Sequence, residues 1–119
     1  MLNALKTIDG IGLGRPITEQ AYLPSSLLLG QTQGARDQAI DMNDFGLTSA
    51  VSMTQMVQIG DDHEPLDMSK ERNVEAFGRD FENWRRELRE DRGRRVKFGS
   101  ARVRSVPAVP YTGGLASKL

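Results

Sequence analysis

Apolar residues repeat along this chain with two different periods, and each period predicts a different element. Between residues 69 and 92, Val74, Phe77, Phe81, Trp84 and Leu88 recur at alternating spacings of three and four, which draws one stripe along a long amphipathic helix. Ser69 or Asp67 is placed to cap its start, and Glu71 sits at the positive end of the helix dipole. Arg85, Arg86, Arg89 and Arg92 crowd the negative end, and Gly93 stands where a helix terminates. Gly78 costs about 1 kcal/mol against alanine inside a helix, which points to a close backbone neighbour or to a bend. From Phe45 to Ile59 the period changes. Phe45, Leu47, Val51, Met53, Val57 and Ile59 fall on odd positions, and Thr48, Ser52, Thr54 and Gln58 on even ones. That alternation predicts a half-buried β ribbon or hairpin stopped by Gly60-Asp61-Asp62.

The flanking segments carry weaker patterns. Leu2, Leu5 and Ile8 support one or two helical turns, which the glycines at 10, 12 and 14 interrupt. Thr18 starts a brief helix that Pro24 ends, and residues 25–34 form an apolar knot followed by a polar loop. Ala35 to Asn43 predicts a weak acidic helix with Ala35, Ala39 and Met42 on one face. After Asp91 the composition turns basic: residues 92–119 hold five Arg, two Lys and no acid. Within that stretch Val96, Phe98, Val103, Val106, Val109 and Tyr111 are spaced like short extended pieces, with Pro107 and Pro110 opposing helix. The expected architecture is therefore a small, irregular α+β body over residues 1–91 with an extended N-terminal arm, followed by a basic extended C-terminal arm over 92–119.

Composition sharpens this picture. Leu, Ile, Val and Phe make up 28 of the 119 residues, so a self-sufficient core is marginal. Sixteen basic and sixteen acidic residues cancel, yet residues 1–67 carry three cations against nine anions and residues 68–119 thirteen against seven. The chain is an electrostatic dipole whose basic end suits an acidic protein surface, its own front half, or phosphates. Without cysteine there is no disulfide framework and no thiolate chemistry. The longest aliphatic run, Leu27–Leu29, is far too short to cross a bilayer, and the start lacks a secretory pattern, so a cytosolic setting is expected.

Candidate chemistry falls at three places in the chain. Gly10-Ile11-Gly12-Leu13-Gly14 has the spacing of neither the dinucleotide fingerprint nor the phosphate loop, and suits a flexible turn. Asp41-Met42-Asn43-Asp44-Phe45-Gly46 opens like a calcium loop but puts Phe45 and Ser52 where oxygen ligands belong, so a capped helix end explains it better. Asp61-Asp62-His63-Glu64 gathers the one histidine with three carboxylates in a loop before Pro65, with no partner His or Cys to complete a metal site. A nucleophile paired with a base cannot be singled out, so no catalytic, cofactor-binding or metal-binding residue is assigned and a non-enzymatic role is expected. The partner-facing residues expected are Val74, Phe77, Phe81, Trp84 and Leu88 on the helix, and Arg92, Arg94, Arg95, Lys97, Phe98, Arg102, Arg104 and Tyr111 on the tail.

A cysteine-free chain rich in Gly, Gln, Met and Thr with long arms resembles the small structural proteins of tailed-bacteriophage virions. The resemblance lies in overall composition and not in a motif. It implies a non-enzymatic subunit of a head, neck, tail or internal assembly in the virion, formed in the host cytoplasm and bound to copies of itself and other structural proteins. The alternative is a nucleic-acid-associated accessory subunit whose arginines, over residues 92–104, lie on phosphates.

Overall fold

Helix α4, Glu71–Glu90, forms where the 3-4 stripe predicts it, in a computed structural model that describes residues 2–94 and 99–113. Phe77 is only 2% exposed, and its ring stacks on Phe81 at 5.3 Å, which stacks in turn on Trp84 at 5.6 Å. Such ring pairs add to the burial of their area. The helix has Glu71 in its first turn and Arg89 in its last, matching the dipole. Its cap position is Lys70, without a side-chain cap; Asp67 instead accepts from Ser69 N at 3.0 Å and Ser69 Oγ at 2.6 Å, shaping the turn before the helix. Arg92 and Gly93 turn left-handed at φ 48° and 76°, which ends the helix where glycine tolerates it. Gly78 is exposed, and a Cβ added there would meet nothing within 4 Å, so no close neighbour explains it.

The β ribbon expected at 45–59 is a helix, α3, Phe45–Gly60. No strand occurs among the described residues, where the one bridge is an isolated antiparallel pair between His63 and Pro110, so the α+β class is corrected to an all-helical one. The odd-position pattern misleads because this helix buries a largely polar side. Thr48, Val51, Ser52, Thr54 and Gln55 are buried, at spacings of helical period, while Phe45, Met53 and Met56 lie outward at 75%, 49% and 53% exposure. Asp44 caps the helix by accepting from Leu47 N at 2.9 Å, and Asp41 holds an Asx turn through Asn43 N at 2.9 Å, which accounts for the acidic run before it.

Three short elements precede α3: a 3₁₀ turn at Leu2–Lys6, α1 at Pro16–Glu19 and α2 at Leu23–Leu28. Pro24 lies in the first turn of α2 and does not end a helix, since proline's missing N–H is harmless there. Residues 35–38 are not helical; they run beside residues 66–68, and Ala39 N donates to Met68 O at 2.9 Å. The core is small: Val51, Leu66, Met68 and Phe77, flanked by Ile40, Leu47, Ala50, Val74, Phe81, Val103 and Val106.

Residues 99–113 do not extend away as an arm but fold back over α3 and α4. Thr54 Oγ1 donates to Ala101 O at 3.2 Å, Glu64 N to Val109 O at 2.7 Å, and Tyr111 N to Asp62 O at 2.8 Å. Asp80 accepts from Arg104 N at 2.6 Å, Ser105 N at 2.8 Å and Ser105 Oγ at 2.6 Å. Burial acts to raise the Asp80 carboxyl, but the Ser105 and Arg104 hydrogen bonds outweigh it and hold it below the usual carboxylate range.

Candidate functional site

Between α1, the 35–42 segment and the buried side of α3 lies a cleft of about 230 Å³. Arg15, Glu19, Arg36, Gln38, Thr48 and Gln55 bring its chemistry. Pro16 sets the first turn of α1, so that Glu19, three residues on, points inward with its side chain 3% exposed. Glu19 accepts from Met68 N at 3.2 Å and from the Gln38 amide, and lies 3.6 Å from the Arg36 guanidinium. The same guanidinium reaches Asp67 at 2.7 Å, and the Arg36 backbone N–H donates to Gln20 Oε1 at 2.7 Å. One guanidinium therefore holds two carboxylates.

The two carboxylates respond differently. Burial pushes Glu19 up to about 7; Arg36 opposes the shift, and the neighbouring Asp67 charge adds to it. At Asp67 burial also acts upward, but hydrogen bonds from Ser69 and Arg36 outweigh it and hold the group well below the usual range. Arg36 is raised overall, because Asp67 and Glu19 more than offset its desolvation.

At the start of α1 the Arg15 guanidinium donates to the Thr48 hydroxyl and lies over the Phe45 ring, 5.6 Å from its centroid. Among the described residues it has no carboxylate at ion-pair distance. Gln55 ties the cleft floor together: its Oε1 accepts from Thr18 Oγ1 at 2.8 Å, and its Nε2 donates to Leu66 O at 2.9 Å.

The residues expected to face a partner lie elsewhere, and the structure does not gather them. Val74, Phe77 and Phe81 belong to or flank the core; Trp84 is half-buried and Leu88 exposed farther along α4. Arg92 and Arg94 are exposed after the helix, Arg94 Nε donating to Asp91 O at 3.1 Å. Arg102 pairs with Asp61, Arg104 is exposed with its backbone on Asp80, and Tyr111 is half-buried. Arg95, Lys97 and Phe98 lie outside the described residues. In the Asp61–Glu64 run, Glu64 Oε1 accepts from Thr112 N at 2.8 Å and Thr112 Oγ1 at 2.7 Å, and no group of three potential metal ligands converges among the described residues. No described helix is long and apolar enough to cross a membrane.

No protein-family model matches the chain. It is, however, 38% identical over 84 residues to NADH-dependent flavin oxidoreductase nadA of Aspergillus parasiticus. The match takes in 71% of this chain and 19% of that protein, so the chain spans about a fifth of the length of its relative. A stretch of that length includes residues 36–84 wherever it begins, and so Arg36, Asp67, all of α3 and most of α4. This similarity overturns the expectation of a non-enzymatic bacteriophage virion subunit, with its nucleic-acid-associated alternative, because the protein matched is named as an enzyme.

Sequence reasoning missed the cleft. Arg15, Glu19 and Arg36 stand far apart in a part of the chain with no periodic signal, and only their fold-dependent convergence distinguishes them from surface charges. The one sequence cue was the scarcity of cations before residue 68, where Lys6, Arg15 and Arg36 face nine anions.

Proposed function

We propose that this chain serves NADH-dependent flavin oxidoreductase chemistry by holding the anionic end of a nucleotide cofactor in the Arg15–Arg36 cleft. The observation that carries this reading is the 38% identity over 84 residues to a protein of that name. Room and the guanidinium donors of Arg15 support the role given to the cleft. Flavin nucleotides and NADH carry phosphate, and a planar guanidinium matches phosphate oxygens with paired donors. Arg15, which lines the cleft, offers such a fork. Pockets that enclose whole cofactors run to roughly 300–1,000 Å³. At about 230 Å³ the cleft fits a phosphate group and not a flavin ring system, so no hydride or electron step is assigned to a residue of this chain.

Protein partners belong to the same proposal. The outward Phe45, Met53 and Met56 give α3 an apolar surface of the kind that meets another copy or another subunit. Nucleic acid along residues 92–104 would have to displace Arg102 from Asp61, which favours the protein partner.

Flavin mononucleotide titrated into the purified chain tests the proposal through quenching of flavin fluorescence, with NADH consumption followed in parallel. Binding is expected, and Arg15→Ala is expected to weaken it about tenfold to a hundredfold, the worth of a charged hydrogen bond. A folded chain that binds neither flavin mononucleotide nor NADH rejects the reading.

A further inference from the structure

We propose that Glu19 is a proton-operated gate on anion binding in this cleft: ionised, it holds Arg36 between two carboxylates, and protonated, it frees that guanidinium to share an incoming anion. The inference rests on the reading of the cleft as an anion site and adds its regulation. The geometry is specific. Glu19 and Arg36 both line the cleft, Arg36 Nη1 lies 3.6 Å from Glu19 Oε1, and the same nitrogen is held by Asp67 at 2.7 Å. Arg36 is therefore not lost from the cleft when Glu19 is neutralised; it stays anchored and loses one of its two counter-charges.

The charged neighbours among the described residues come from three segments. From α1 come Glu19 itself and Arg15; from the 35–42 segment, Arg36 and Asp37; from the turn before α4, Asp67 with Lys70 paired to it at 3.5 Å; and Tyr22 acts on Arg36 through its field. Helix α3 presents Thr48, Ser52 and Gln55, which are uncharged. Burial sets Glu19 near neutrality while Asp67 stays ionised far below it, so Glu19 alone of the two switches between acidic and alkaline conditions. With Glu19 ionised, the charges of Arg15, Arg36, Glu19 and Asp67 cancel; with Glu19 protonated, the group carries one positive charge. An anion in the cleft and a proton on Glu19 therefore promote each other, and the linkage is reciprocal.

Sulfate is the probe, because it does not titrate in this range whereas a phosphomonoester does. Its affinity for the full chain is measured at about pH 6 and about pH 8 from the amide resonances of Arg36 and Met68. Calorimetry in two buffers of different ionisation enthalpy counts the protons taken up. Wild-type protein is expected to bind sulfate about tenfold more tightly at the lower pH, the effect of one nearby partly screened charge. It is also expected to take up a fraction of a proton per sulfate near pH 7. In Glu19→Gln the affinity is expected to stay at the low-pH value throughout. Equal pH slopes in the two proteins, no proton uptake by the wild type, or no sulfate binding at either pH overturns the gate. Should Glu19→Gln not fold, proton uptake by the wild type decides alone. A flavin mononucleotide arm separates this from the cofactor reading: sulfate binding that follows Glu19 without flavin binding keeps the gate and rejects the cofactor, while flavin binding without proton uptake does the reverse.

Discussion

Helices α3 and α4 follow one another in the chain and are built on opposite rules. Helix α4 turns Phe77 and its stacked neighbours inward and its charges outward, so burial of apolar area holds it down. Helix α3 does the reverse over much of its surface, burying Thr48, Ser52, Thr54 and Gln55 while Phe45, Met53 and Met56 stand in solvent. Hydrogen bonds hold α3: Gln55 to Leu66 O, Thr54 to Ala101 O, Gln58 Oε1 from Leu66 N at 2.9 Å, and Thr48 with Arg15. No buried side-chain polar atom lacks a partner among the described residues. The difference shows that depth and hydrophobicity are separable. A polar helix face can be buried where the irregular segments beside it offer backbone groups that need partners.

The largest effect should come from α4. Phe77→Ala removes the one ring from the buried cluster of Val51, Leu66, Met68 and Phe77 and is expected to cost about 3–5 kcal/mol, a large share of the stability of so small a protein. Urea unfolding followed by circular dichroism measures it. A loss under about 1 kcal/mol would mean that α4 is not held by its apolar stripe, and the contrast with α3 would collapse.

That contrast also explains what was legible in the amino acids alone. Helix α4 was, because its period, its acidic start and its glycine stop agree, and because apolar burial is what periodicity detects. Helix α3 was not, because Thr48, Ser52 and Gln55 mark its inner side with the residue types that usually mark an outer one. The fold-back of residues 99–113 depends on Asp80, Asp62 and Glu64, whose partners are mostly backbone amides and leave no trace in side-chain pattern. Glu19 shares that difficulty: its approach to neutrality comes from burial among groups up to 49 residues away, and nothing near it in the chain announces it.

A smaller effect should come from the polar side of α3. Gln55→Leu adds apolar character at a buried position, which a purely hydrophobic account would count as a gain. Here it strands the Leu66 carbonyl, while the Thr18 hydroxyl falls back on Arg15 O at 2.8 Å, so the expected change is a loss of about 1–3 kcal/mol in chemical unfolding. Gln55→Glu offers a finer comparison, since it keeps an acceptor for Thr18 but loses the donor to Leu66 O and adds a buried charge. A stabilised Gln55→Leu protein would show that α3 is docked by area after all.

The smallest effect is expected on the outward side of α3, and for that reason it tests most directly whether the helix stands as described in solution. Met53 and Met56 are about half exposed, so Met53→Gln with Met56→Gln gives up little burial within the chain. In dilute protein the change in unfolding free energy should stay within about 0.5 kcal/mol, as for surface substitutions away from special features. The same pair measured at high concentration has a different meaning. A surface that meets another protein copy stabilises the folded state by mass action, so wild-type melting would rise with concentration while the glutamine variant would not. A loss of about 2 kcal/mol or more already in dilute protein would place the two methionines in the chain's own core, and α3 would then be buried on the side that its apolar residues mark.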